Sequence, residues 1–148
     1  MRICVFGAGA VGGHLATKLA ASGQEVAVVA RGAHLEAIRA NGLTLKAGDR
    51  EIRARVTASD SPADLGPQDV VITTLKAHGL PAFAEAVGPL LRPDTGVVFA
   101  QNGAPWWYGM GLPTGRPPAP DLGWMDPDSI LRREVGAERT VGAGIFSS

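Results

Sequence analysis

The stretch ICVFGAGAVGGHL, residues 3–15, sets a short apolar run against four glycines, Gly7, Gly9, Gly12 and Gly13. Arg2 to Phe6 has the composition of a buried strand. Beyond the glycines, Val11, Leu15 and Leu19 recur at four-residue spacing, as the apolar stripe of a helix would. Gly23 then stands where a helix C-terminal cap belongs. Within this strand, turn and helix, Gly7, Gly9 and Gly12 have G-x-G-x-x-G spacing. Such a turn needs permissive dihedrals at Gly7, no side chain at Gly9 where backbone meets a pyrophosphate, and none at Gly12 where helix packs on strand. The unpaired amides and the positive end of the helix dipole then face the phosphates. Gly7, Ala8, Gly9, Ala10, Val11 and Gly12 are therefore the candidate dinucleotide-binding residues. A glycine-rich turn that serves packing alone is the plainer alternative. A secretory signal segment beginning at Arg2 is a third reading and fits poorly, because the glycines weaken a helix and His14 and Lys18 interrupt the apolar run.

Working outward, EVAVVA (residues 25–30) reads as a second buried strand, and a short helix over residues 34–40 turns Leu35 and Ile38 inward. Asn41-Gly42 marks a turn. LTLKAGDREIRARV (residues 43–56) then alternates apolar and polar residues around Gly48-Asp49, as a half-exposed hairpin does. After the loop SPADLGPQ (residues 61–68), Val70, Val71 and Ile72 form the next buried strand. Leu80, Phe83, Ala84, Val87, Leu90 and Leu91 give a helical stripe, and GVVFA (residues 96–100) a further strand. LPTGRPPAPDLGWMDP (residues 112–127) holds five prolines and reads as an irregular surface excursion. SILRREVG (residues 129–136) can make a short helix and TVGAGIF (residues 140–146) a last strand. Alternating strands and helices predict one α/β domain over residues 1–148: a Rossmann-like, doubly wound, mostly parallel sheet with helices on both faces.

Composition narrows the function. At 148 residues the chain is long enough for one real core. Fourteen basic residues balance fourteen acidic ones, which argues against nucleic acid as a partner. A single cysteine, Cys4, rules out an intrachain disulfide and fits a reducing, cytoplasmic setting. No apolar run approaches the roughly 18 residues of a membrane span. His14 and His78 lack metal-ligand spacing, so no metal site is expected, and no G-x-S-x-G nucleophile elbow occurs.

Three charged or polar positions follow strand ends, the side on which open α/β sheets bind ligands. NAD-binding versions of the glycine turn usually carry Asp or Glu about 20 residues on, accepting hydrogen bonds from the ribose hydroxyls. Here the second strand ends VVARG, with Arg31 at that point and no carboxylate. A guanidinium suits a 2′-phosphate, so the expected cofactor is NADP(H). A solvated loop arginine is the alternative. Lys76 follows VVITTL, and Asn102 follows VVFAQ. A lysine there can hold a cofactor or an oxyanion, and an asparagine can orient a carbonyl or amide. Each is equally readable as a polar residue that merely closes a strand.

Taken in order, MRICVFGAGAVGG, VVAR ending at Arg31, TTLKAH around Lys76 and QNGAPWW around Asn102 resemble the amino-terminal domain of the ketopantoate reductase (2-dehydropantoate 2-reductase) family. The resemblance implies NADPH-dependent reduction of 2-dehydropantoate to pantoate, on the route to pantothenate and coenzyme A. It implies that Gly7–Gly12 hold the pyrophosphate, Arg31 the 2′-phosphate and Lys76 the cofactor near the crevice. Asn102 would lie between nicotinamide and substrate, with GIFSS (residues 144–148) bordering the cofactor. The family's proton donor, a lysine, belongs to a second, mainly helical domain that this sequence does not contain, so no catalytic acid is assigned here. A non-catalytic NADP-binding module, a truncated inactive fragment, and an NADP-dependent reductase of another 2-keto acid or imine remain alternatives. Trp106, Trp107 and Tyr108 either face that second domain or fill core; if exposed, they would form an apolar patch and favour a homodimer.

Overall fold

The computed structural model describes residues 1–111, 113, 115 and 121–146. Its central sheet is built from β1 (Arg2–Phe6), β2 (Glu25–Val29), β5 (Thr57–Ser59), β6 (Val70–Thr73), β7 (Gly96–Ala100) and β8 (Thr140–Ala143), in the order β5-β2-β1-β6-β7-β8. Every neighbouring pair is parallel. The helices are α1 (Ala10–Ala21), α2 (Gly32–Asn41), α3 (Leu80–Val87) and α4 (Ile130–Glu134). A separate antiparallel hairpin of β3 (Leu43–Ala47) and β4 (Arg50–Ala54) packs beside α1. The sheet is thus the doubly wound α/β architecture that strand–helix alternation requires.

Side chains alternate across each strand and divide the interior into two layers. Cys4, Phe6 and Val29 face Phe83, Leu90, Phe99 and Leu131 on the α3–α4 side, whereas Val5 and Val28 face Ala16, Leu35 and Ile38 on the α1–α2 side. Phe6 and Phe83 meet edge to face with centroids 4.9 Å apart. Burial of this kind pushes the Cys4 thiol up to about 12, so it stays protonated and inert. Among the described residues no helix is long and apolar enough to cross a membrane.

Several sequence expectations need correction. The sheet-facing stripe of α1 is Gly12, Ala16 and Thr17, while Val11, Leu15 and Leu19 are only partly buried. Small residues win that face because the helix axis lies against the Gly7 turn: a Cβ on Gly12 would overlap the Gly7 carbonyl oxygen. The edge strand β5 was not foreseen, since Thr57-Ala58-Ser59 carries neither an apolar run nor alternation of useful length. The stripe after Leu80 does not continue to Leu91; α3 ends at Val87, a 3-10 turn over Gly88–Leu90 follows, and Leu91 is extended. Of the proline-rich stretch, residues 112, 114 and 116–120 lie outside the described residues. Its described end is not merely surface, because Gly123–Met125 forms a 3-10 turn and Met125 joins the core.

Trp106 is buried against Phe99, so it fills core. Trp107 is partly buried and Tyr108 half exposed, which leaves no continuous aromatic patch from the three.

Candidate functional site

Strand order reverses between β1 and β6, and the crevice of an open α/β sheet lies at the carboxyl ends of the two strands flanking that point. Here those ends are the glycine turn after Phe6 and Thr74-Leu75 after β6. Each glycine of the turn has a different reason to be glycine. Gly7 has φ +99°, and a Cβ there would stand 2.8 Å from Leu75 Cδ2. At Gly12 helix meets turn with no room for a methyl, whereas a Cβ on Gly9 would meet nothing within 4 Å. The turn is therefore closed on the protein side at Gly7 and Gly12 and open outward at Gly9.

The turn is also held from its neighbours. The Gly7 N–H donates to Val29 O at 3.0 Å, and the Gly13 N–H to Gly9 O at 2.7 Å. Thr74 Oγ1 donates to Gly7 O at 2.7 Å, and the His34 Nε2 lies 2.7 Å from Ala8 O. Gly9 caps α1 with no side-chain hydrogen bond and no acidic residue follows in the first turn. The first N–H groups of a helix lack intrahelical partners, so this end offers donors and a positive dipole to an anion.

Beside the turn opens a cleft of about 280 Å³, lined by Gly7–Gly9, Ala30, Arg31, His34, Leu75, Gly79 and Ala82 among others. Its walls are mostly apolar, as a purine requires, with Arg31 at the end of β2. Arg31 is exposed, and none of the ion pairs among the described residues engages its guanidinium. Among the described residues no carboxylate lines this cleft.

Lys76, next after Leu75, is exposed at the start of a 3-10 turn over Ala77–Gly79 and stands outside the cleft's lining. Asn102 lies farther along the sheet, beyond β7, in a separate cavity of about 430 Å³ with Gln101, Trp107 and Phe146. Its amide is engaged twice by one residue: Nδ2 donates to Ile145 O at 2.8 Å and Oδ1 accepts from Ile145 N at 2.8 Å. The structure thus brings Gly7–Gly9, Arg31 and the Leu75 neighbourhood together; Asn102, after β7, is tied to Ile145 of the chain after β8, and Gly144, Ile145 and Phe146 line a further cavity with Ala10, Val11 and His14 at the start of α1. Residues 147 and 148 of GIFSS lie outside the described residues.

Sequence reasoning missed Thr74 and His34. Thr74 sits at the same strand end as Lys76, and His34 lies three residues after Arg31, one helical turn along α2; those positions were the available signal. Among the described residues no group of three or more His, Cys, Asp or Glu could hold a metal ion.

With this geometry in view, comparison with known proteins gives a consistent answer. Residues 3–107 match the family model described as Ketopantoate reductase PanE/ApbA. The chain belongs to the ketopantoate reductase family. A 2-dehydropantoate 2-reductase of Mesorhizobium japonicum is 44% identical over 99% of this chain and 45% of its own length. One from Pyrococcus horikoshii is 30% identical over 98% of this chain and 46% of its own. Among solved structures, that of a putative ketopantoate reductase from Ralstonia solanacearum superposes with a TM-score of 0.88 at 37% identity, over 99% of this chain and 45% of that one. The chain therefore spans about 45% of the length of the family members it matches. The ketopantoate reductase match ends at residue 107 and so includes the glycine turn, Arg31, Lys76 and Asn102.

Proposed function

We propose that the chain is the NADP(H)-binding part of a reductase that converts 2-dehydropantoate to pantoate, the step leading toward pantothenate. One observation carries the nucleotide reading: Gly9 faces open space while Gly7 and Gly12 are closed against Leu75 and the turn itself. Set between a strand and a helix N-terminus, that is the cradle a diphosphate needs. The residues therefore fit a dinucleotide. The backbone from Gly7 to Gly12 would hold the diphosphate, and the walls formed by Ala30, Leu75 and Ala82 the adenosine. Arg31 would meet the 2′-phosphate, since among the described residues no ion pair engages its guanidinium and no carboxylate lines the cleft to accept from a ribose hydroxyl. Lys76, exposed next to Leu75 of the cleft wall, would supply a further cation. A reduced nicotinamide bound in this way would supply hydride to a ketone carbon. The 2-keto acid substrate class comes from the names of the relatives.

A second reading has its own support. The cavity around Asn102 contains no titratable side chain among its described residues, so none of them can serve as general acid to the alkoxide that reduction of a ketone produces. On this ground the chain alone binds nucleotide and turns it over slowly or not at all. Mixing the purified chain with NADPH and 2-dehydropantoate, and following the near-ultraviolet absorbance of NADPH, separates the two. Steady, substrate-dependent oxidation rejects the binding-only reading. Nucleotide binding without oxidation supports it, and absence of nucleotide binding rejects both.

A further inference from the structure

The Ala8 carbonyl is met at 2.7 Å by ring Nε2 of His34. A carbonyl can only accept, so this nitrogen carries the proton. His34 stands in the first turn of α2 and lines the same cleft as Arg31. We propose that His34 is a positioning residue for dinucleotide binding: by holding the Ala8 carbonyl it keeps the Ala8–Gly9 peptide in one orientation, with the Gly9 N–H turned to the opposite side. This rests on the dinucleotide reading above.

The physical need arises from Gly9. A trans peptide is planar, so its carbonyl and N–H point in opposite directions and turn together. Turning this peptide over takes Gly9 from φ −68° toward positive φ, a conformation that glycine adopts at little cost and other residues avoid. The position that must lack a side chain for phosphate to approach is thereby also the position at which the peptide can reverse. A reversed peptide aims a carbonyl oxygen, the negative end of its dipole, where a diphosphate expects a donor. The neighbouring Gly7 carbonyl has two restraints, the Thr74 hydroxyl at 2.7 Å and the closely packed Gly12. The Ala8 carbonyl has the exposed His34 side chain, reaching across 26 residues of sequence. Affinity then depends on how much of the population is already in the binding orientation.

The test compares titrations of NADPH and NADH into the unmodified chain, His34→Ala, His34→Gln and Arg31→Ala. His34→Ala is expected to weaken both nucleotides by the same factor, about 3- to 10-fold for the loss of one hydrogen bond. The NADPH/NADH ratio should stay fixed, because the diphosphate is common to both. His34→Gln should recover affinity, since its terminal amide nitrogen reaches a similar point and donates. The unfolding midpoint should shift by no more than the loss of one part-buried hydrogen bond allows, and so far less than loss of the fold would require. Arg31→Ala should instead lower the ratio. Unchanged affinity in His34→Ala, failure of His34→Gln to recover it, or a loss confined to NADPH each overturns the inference. If the unmodified chain binds neither nucleotide, the dinucleotide reading falls and this inference with it.

Discussion

A methyl group added at Gly9 and one added at Gly12 should have opposite consequences. Gly9 has φ −68° and open space around it, so Gly9→Ala should fold with a change of about 1 kcal/mol or less yet lose nucleotide affinity, as its methyl fills the phosphate approach. Gly12→Ala drives a methyl into the Gly7 carbonyl and should destabilise the chain by about 3 kcal/mol, at the upper end of overpacking costs. Denaturant unfolding of both variants, beside a binding titration of Gly9→Ala, checks the pair. At Arg31 the effect should be selective. Arg31→Ala should cost NADPH binding about 1.5–3 kcal/mol, roughly 10- to 100-fold, and leave NADH unaffected, as one charge-assisted contact is lost. The glycine turn and an exposed Arg31 at the end of β2 were legible in the sequence because each is local to one turn or one strand end. The pairing of the Asn102 amide with Ile145 was not, because the two residues lie 43 apart in sequence. His34 and Thr74 were hidden for the same reason, their backbone acceptors lying 26 and 67 residues distant.

At the scale of elements, the strands were readable where they are covered on both faces. Val70–Thr73 and Gly96–Ala100 lie inside the sheet, and an interior strand must be apolar along its whole length. β5 has a neighbour on one side alone and needs only three residues, too few to leave a pattern. Helix α1 was recognised as a helix but its buried face was misassigned, because periodicity finds large apolar residues while this interface is built from small ones. The correction makes a prediction. Ala16 is fully buried against the sheet, so Ala16→Leu should destabilise by about 1–3 kcal/mol through overpacking. Leu15→Ala, on the partly buried face, should cost less than the roughly 2–5 kcal/mol of a core leucine. Equal or reversed losses in urea unfolding would restore the Leu15 stripe as the packed one.

Across the whole molecule, the candidate binding residues lie at the carboxyl ends of the strands, and a second polar cluster ties the strands together at their amino ends. Asp69, just before β6, is the centre of the second group. Its carboxylate accepts from the Arg2 N–H at 2.7 Å and pairs with Arg92, while its own N–H donates to Arg2 O at 2.9 Å and its carbonyl accepts from Gly96 N–H at 3.2 Å. The Arg2 amide, aided by the Arg92 guanidinium, holds the Asp69 carboxyl below its ordinary value of 3.8. The sign follows from linkage. A carboxyl with a lowered folded pKa contributes stability that is complete above its unfolded value and lost as pH falls through the folded one. Stability should therefore decline below about pH 4, and Asp69→Asn should reduce that acid sensitivity while lowering stability at neutral pH; an unaltered acid profile in Asp69→Asn would remove Asp69 from the account. The most direct test of the central claim is a calorimetric titration of the chain with NADPH and NADH under identical salt. The geometry of the glycine turn and Arg31 predicts saturable one-to-one binding, with NADPH tighter by about 10- to 100-fold. Binding of neither nucleotide, or NADH binding as tightly as NADPH, would contradict it.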